Sequence, residues 1–353
     1  MMTKRLLSIS AAVLTVMAAV SGRAADGKLD VVVSIKPMHA LVAGVMQGVA
    51  TPHLLLNDQQ SPHHFALKPS QARLLQQADL VFWVDSSLET PMPALLAGLA
   101  PHAKNIRFMA DTGLVRYKNA NWGGADGDDH DDHDDQKEQD DHDDHDDHEG
   151  EEGHDDHDDH DGEEGHDDHE GHDHSGADPH FFTDPARMAV AVDGIASFLI
   201  ANVDGLDADT VSAAAAAYHE ELEALDDEVA EVIASIPLAN RVLVTNHEVF
   251  GHFADRYGFE VAGTVIPAAS TVDGSSAGAL AELAALIEAE GVPAIFSDVS
   301  ASDQLAQALA EEVGDIAVVE LFTESLGDAD SEGSTYIDMI RTNAERIAGA
   351  LAS

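Results

Sequence analysis

Short apolar runs alternate along this chain with longer stretches in which apolar residues recur at helical spacing. Residues 29–35, 79–84 and 241–245 are rich in Val, Leu and Phe, as expected of strands buried in a parallel sheet. Helical periodicity follows at 38–47, and Pro69 opens a second helical stretch at 69–77. This alternation predicts βα units that build parallel sheets.

The same alternation resumes after residue 176, where a helix at 185–202 precedes a longer one at 207–236. The longer helix spans about 45 Å at the usual helical rise, which is enough to connect two lobes. The remaining predicted elements are strands at 260–265, 294–297 and 316–321, and helices at 249–257, 277–290, 304–313 and 336–351. We therefore predict an α/β protein with two βα lobes, parallel sheets and a long bridging helix. Ligands of such sheets bind beyond the carboxyl ends of the strands, which predicts a site in the cleft between the lobes.

The first residues have the pattern of a secretory signal peptide at 1–24. Lys4 and Arg5 precede a mostly apolar run at 6–20, and small residues at Gly22 and Ala24 fit a cleavage site. The apolar run is short for a retained membrane anchor, so the mature chain is expected to be a soluble periplasmic protein.

A segment at 126–177 interrupts the pattern with almost no apolar residues. Between 126 and 174 it holds 28 Asp or Glu, 12 His and one Lys, and the triplet Asp-Asp-His occurs eight times. Such a composition predicts disorder, because little apolar surface can be buried to offset the ordering entropy. Imidazole favours zinc, copper and nickel, and the carboxylates attract any cation. We interpret the segment as a metal-collecting loop, with a passive charged spacer as the alternative.

The loop divides the mature chain into its predicted parts. These are an N-terminal lobe at 25–125 completed by 178–206, the loop at 126–177, the bridging helix at 207–236 and a C-terminal lobe at 237–353.

Composition narrows the possible partners and ligands. The net charge of −50 argues against binding to nucleic acid or to an anionic membrane surface and favours capture of cations. The absence of cysteine excludes disulfides and thiolate ligands. A metal site must therefore be built from histidine, carboxylate or water.

Three of the nine histidines outside the loop lie at strand-to-helix edges, where a ligand in the cleft would be bound. His63 lies in a loop before a helix, His180 lies where the acidic segment ends, and His247 follows the strand at 241–245. One such histidine would more often be a surface or capping residue. Three in equivalent positions favour a shared metal site.

The other histidines do not share this placement. His247 and His252 resemble the zinc-protease helix motif, but their spacing of five residues separates them by about 140° on a helix. We therefore disfavour a hydrolase and interpret His252 as an ordinary helix residue. His219 is predicted on a solvated helix face, and the role of His64 stays open. Structural or surface positions are predicted for His39, His53 and His102.

Several motifs, taken in order, resemble the metal-binding receptors of bacterial ABC importers known as cluster A-I, and within them the zinc-uptake branch. The matching segments are 62–70, 178–182, 244–247, 321–325 and 334–340. The resemblance implies that His63, His180 and His247 bind the metal, with Glu324 or water as the fourth ligand. Histidine at position 247, where manganese receptors tend to carry a carboxylate, implies a preference for Zn²⁺.

The leading functional hypothesis is a periplasmic solute-binding protein that captures Zn²⁺ and delivers it to an ABC permease in the inner membrane. It would act as a monomer and would catalyse no reaction. The alternatives are a periplasmic metal buffer or chaperone, a manganese receptor, and, least favoured, a hydrolase with an open zinc position.

Overall fold

The computed structural model describes residues 29–57, 60–111, 178–266, 276–300, 302–314 and 316–352. The predicted signal peptide at 1–24 and the acidic segment at 126–177 lie outside these ranges, so both interpretations stay predictions.

The first lobe contains a four-stranded parallel sheet. Its strands are β1 (Val31–Val33), β2 (His53–Leu54), β3 (Leu80–Trp83) and β4 (Lys104–Arg107). Its helices are α1 (Lys36–Val45), α2 (Pro69–Gln77), α3 (Met92–Leu99), α4 (Phe108–Asp111) and α5 (Pro185–Asn202). The strand order is β2-β1-β3-β4. The two central strands are buried along their whole length, which explains their unbroken apolar sequence.

The second lobe repeats this topology. Its strands are β5 (Val242–Thr245), β6 (Glu260–Thr264), β7 (Ala294–Asp298) and β8 (Ala317–Leu321), all parallel and in the order β6-β5-β7-β8. In chain order, the long helix α6 (Ala208–Ala234) precedes α7 (Gly251–Tyr257), α8 (Ala277–Glu290), α9 (Gln304–Glu312) and α10 (Tyr336–Leu351). Because the strand order is the same in both sheets, the carboxyl ends of the strands form an equivalent edge in each lobe. The predicted two-lobe α/β fold is confirmed.

Helix α6 connects the lobes. It packs against α1 and α5 of the first lobe and against α10 of the second. Leu222, Leu225, Val229 and Ile233 are almost fully buried and recur at three- and four-residue spacing, which forms one apolar stripe along the helix. Burying such a side chain contributes about 1.5–3 kcal/mol. These residues belong to one hydrophobic cluster that continues into both lobes, and a second cluster lies between the outer face of the second sheet and α8 and α9.

Several predicted helix boundaries differ from the structure by one or two residues. The bridging helix, predicted at 207–236, spans Ala208–Ala234, and it begins one residue later because Asp207 is its N-cap and accepts a hydrogen bond from the Thr210 amide at 3.2 Å. The helix predicted at 249–257 begins only at Gly251. The preceding turn is held by the Thr245 hydroxyl, which donates to the His247 carbonyl at 2.8 Å.

Candidate metal site

Four side chains from distant parts of the sequence meet at one buried point between the lobes. His63, His180, His247 and Glu324 each place one potential ligand atom within 4.8 Å of the others. Each of the four residues is less than one tenth exposed. The imidazole rings form a nearly equilateral triangle with centroid separations of 5.8, 6.0 and 6.0 Å. Glu324 Oε1 lies 2.7 Å from His63 Nε2 and 3.7 Å from Nε2 of both other histidines.

Each lobe supplies two of these side chains from loops at the cleft. His63 lies between β2 and α2, and His180 directly precedes a 3₁₀ turn at Phe181–Thr183. His247 follows β5, and Glu324 follows β8. The structure therefore brings together all four predicted residues, and it does so in the cleft predicted from strand polarity.

Asp178 fixes the orientation of the His180 ring. Its Oδ1 accepts hydrogen bonds from His180 Nδ1 at 2.8 Å and from the His180 amide at 2.9 Å. Because a carboxylate oxygen can only accept, Nδ1 carries a proton, and Nε2 faces the other three side chains. A carboxylate behind an imidazole also makes the opposite nitrogen a better electron donor.

The segment that carries Glu324 is fixed at two points. Asn343 accepts a hydrogen bond from the Phe322 amide at 2.9 Å and donates one to the Phe322 carbonyl at 2.6 Å. The Thr323 hydroxyl donates to the buried carboxylate of Asp298 at the end of β7. These bonds fix the backbone on the N-terminal side of Glu324 and therefore restrict where its carboxylate can reach.

Burial and the neighbouring charges shift the pKa values of the titrating groups at the site. Burial alone would raise the pKa of Glu324, but its contacts with the three histidines outweigh this and hold the pKa well below the usual value. Burial opposes a charge on His180 as well, yet Asp178 and Glu324 together raise its pKa to about 9. The pKa of His63 is lowered, chiefly by burial. At neutral pH this describes an ionised Glu324 beside a protonated His180 and a neutral His63.

Several atoms of the site lack hydrogen-bond partners although they are buried. These atoms are Nε2 of His63 and His180, both ring nitrogens of His247, and Oε1 of Glu324. The close pair of His63 Nε2 and Glu324 Oε1 lies within ion-pair distance but does not form a hydrogen bond. Buried polar atoms without partners are costly, and when several converge on one point they indicate a place for a cation. Three nitrogen donors with one carboxylate suit a borderline divalent metal.

The residues that support the site were not identified from the sequence. Asp178 and Asn343 are two of them. His252 is buried, and its Nε2 donates to the Asp178 carbonyl at 2.9 Å, so it is not an ordinary helix residue. Asp298, the buried partner of Thr323, is another. The structural role predicted for His39 agrees with its contact to the Pro52 carbonyl at 3.0 Å. His219 is half-buried on α6, 3.1 Å from Asp193. His64, whose role the sequence left open, is exposed.

The fold and site together define a two-lobed protein with four buried side chains in its cleft that could bind a metal ion. A family model described as "Zinc-uptake complex component A periplasmic" matches residues 31–350. The chain belongs to this family.

The chain is similar to several characterised relatives. It is 35% identical to the high-affinity zinc uptake system protein ZnuA of Paracoccus denitrificans over 324 residues, which cover 92% of each chain. It is 34% identical to ZnuA of Brucella abortus over 268 residues, 76% of each chain. The zinc-binding protein TroA of Treponema pallidum is 34% identical over 180 residues, which cover half of this chain and 58% of TroA. These names describe binding or uptake.

Solved structures agree with the fold. The structure of periplasmic TroA from Treponema pallidum superposes with a TM-score of 0.70 at 25% identity and covers 93% of this chain and all of TroA. The manganese-bound periplasmic metal-binding protein from Candidatus Liberibacter asiaticus gives a TM-score of 0.67 at 17% identity, with 91% of this chain and 99% of that one covered. The second likeness supports the fold alone.

Proposed function

We propose that this protein is the zinc receptor of an ABC importer and that His63, His180, His247 and Glu324 bind Zn²⁺. The observation that carries the proposal is the convergence of three imidazole nitrogens and one carboxylate oxygen, buried and without hydrogen-bond partners. A bound cation would satisfy all four atoms at once.

The spacing of these atoms supports zinc. A tetrahedral Zn²⁺ with bonds of about 2 Å holds its ligand atoms roughly 3.3 Å apart. The distances from Glu324 Oε1 to the three Nε2 atoms, 2.7, 3.7 and 3.7 Å, lie on both sides of that value. Manganese prefers sites richer in oxygen, so the three-nitrogen set disfavours the manganese receptor.

A receptor fits the site better than a catalyst does. All four tetrahedral positions can be filled by side chains, whereas a catalytic zinc keeps one position for water or substrate. The two lobes each supply half of the ligands, so a change in their alignment would release the metal. No helix among the described residues is long and apolar enough to cross a membrane. We infer that the protein acts in the periplasm as a monomer and transfers zinc to a permease in the inner membrane.

Two measurements test the receptor function. Competitive titration of protein lacking residues 126–174 should find one tight Zn²⁺ site, with Mn²⁺ competing poorly. Cells lacking this chain should grow poorly when zinc is scarce, and the wild-type chain should rescue them while His180→Ala should not. Rescue by His180→Ala would support the metal-buffer alternative, because the acidic segment would then suffice.

Zinc binding is expected to release about one proton per ion near pH 7.5. His180 holds a proton in the metal-free protein because its pKa is about 9, whereas the lowered pKa of His63 leaves that ring neutral. Zinc must displace the His180 proton, so affinity should rise about tenfold per pH unit up to about pH 9 and then level off. Calorimetry in two buffers of different ionisation enthalpy counts the protons. Binding at pH 7.5 without proton release would contradict the assignment of His180.

Deleting residues 126–174 is expected to leave the tight site intact and to slow zinc capture. The segment holds 12 His and a net charge of −27 from 28 acids and one lysine, and such a field raises the local cation concentration. The deletion should also lower total zinc stoichiometry. The difference in stopped-flow capture rates should shrink as salt shortens the Debye length to about 10 Å at 0.1 M.

A matched control separates charge from imidazole in this segment. A variant with its 12 histidines replaced by asparagine keeps the −27 charge, and it should retain the fast capture while losing the additional weak sites. Equal rates and equal stoichiometry for the intact and deleted proteins would leave only the passive-spacer interpretation.

A further inference from the structure

The turn that carries His180 is held on both sides by side chains of the opposite lobe. We define this His180 turn as residues 178–182. His252 Nε2, on α7, donates to the Asp178 carbonyl at 2.9 Å. The Tyr336 hydroxyl, at the start of α10, donates to the Phe182 carbonyl at 3.0 Å. Each bond ends two residues from His180, one on either side.

Both donors are rigidly placed. Tyr336 is fully buried and His252 is 3% exposed, so neither side chain can move without local repacking. Helix α7 is tied to α6 in turn, because Arg256 and the Tyr257 hydroxyl both bond the carboxylate of Asp226 on α6. The second lobe therefore presents two fixed donors to a turn of the first lobe.

These two bonds affect the site because its four ligand groups come from both lobes. His247 and Glu324 belong to the second lobe, and His180 is oriented by Asp178 within its own turn. The two bonds from His252 and Tyr336 set where that turn lies relative to the second lobe. Metal sites need their ligands within about 0.5 Å of the productive geometry, so a small shift of the turn weakens the site.

We propose that His252 and Tyr336 are positioning residues that hold the His180 turn against the second lobe, and that breaking these two bonds is the step that withdraws His180 from the metal. The proposal rests on the proposed function, since it takes His180 as a zinc ligand. A permease that separates the lobes slightly would stretch both bonds, because they cross the interface on either side of the ligand itself.

Removing either donor is expected to speed zinc dissociation about five- to tenfold, the effect of one buried hydrogen bond. His252→Met removes the donor but fills the same space with an apolar side chain of similar length. His252→Gln instead retains an N–H donor near the Nε2 position. Tyr336→Phe removes only the hydroxyl. The rate of transfer to an excess of chelator measures dissociation, and the visible spectrum of the Co²⁺-loaded protein reports the ligand geometry.

The matched control is Thr342→Val. It removes a buried hydroxyl on α10 whose partner is the Glu332 carbonyl and not the His180 turn. We expect His252→Met and Tyr336→Phe to dissociate faster with altered cobalt spectra, and His252→Gln and Thr342→Val to stay within about twofold of the parent protein.

Three outcomes would overturn the proposal. The first is a parent-like rate and cobalt spectrum for His252→Met. The second is an equal acceleration by Thr342→Val, which would indicate general loosening. If Tyr336→Phe does not fold, the His252 pair decides alone. The third is unchanged zinc affinity in His180→Ala, which would overturn the proposed function as well and so distinguishes the two failures.

Discussion

Replacing His63, His180 or His247 by alanine is expected to weaken zinc binding by more than roughly a hundredfold in each case. Loss of residues that only orient a ligand typically costs ten- to a hundredfold in metal affinity, and loss of a ligand should cost more. Each substitution leaves an incomplete set of donors around a buried charge. Competition with a chromogenic chelator, using protein without residues 126–174, measures the affinity of this site alone.

His64→Ala is the matched control for this series. His64 adjoins His63 but is exposed, and the ligand atoms that meet at the site do not include its own. Its substitution should leave affinity within about twofold, because surface changes rarely propagate to a packed site. If two of the three site substitutions also left affinity unchanged, the proposed site would be wrong.

Glu324→Gln is expected to weaken zinc binding roughly ten- to a hundredfold while the metal-free protein stays folded. Glutamine has almost the same shape, but it removes the negative charge that the low pKa of Glu324 maintains among the three histidines. A neutral amide oxygen is a poorer ligand for Zn²⁺ than a carboxylate. Circular dichroism checks the fold, and chelator competition gives the affinity.

Glu320→Gln provides the control, because Glu320 lies on β8, four residues before Glu324, with an exposed side chain. The same change of charge at that position should have little effect on a site it does not contact. If Glu324→Gln bound zinc as tightly as the parent protein, water would be the fourth ligand instead.

The central strands could be predicted because burial on both faces requires a continuous apolar sequence. The long helices could be predicted because their apolar residues recur at helical spacing. The edge strands of the first sheet could not. In β4 only Ile106 is buried and its neighbours are exposed, and β2 is two residues long. Pairing with an adjacent strand, not local sequence, determines such strands. The late start of α7 depended on the Thr245 hydroxyl bond, which has no sequence signature.

The proposed ligand set could be predicted because each of its residues is adjacent to a strand end or to a recognisable motif. The residues that support the site were harder to predict from the sequence. Asp178 lies in the same motif as His180, and its position two residues before a ligand could have suggested an orienting role. His252 is 74 residues from Asp178, and no periodicity connects them. Only the tertiary packing of α7 against the His180 turn brings the two residues together.

The hydrophobic cluster that passes through α6 has a consequence for how the protein can be divided. Because residues of both lobes pack in that cluster, either half expressed alone would expose the stripe of α6 to water. We expect the lobes to melt together in one calorimetric transition and separately expressed halves to aggregate. The receptor therefore folds as one unit although it has two lobes. Engineered exchanges between relatives should carry α6 together with α1, α5 and α10, against which it packs.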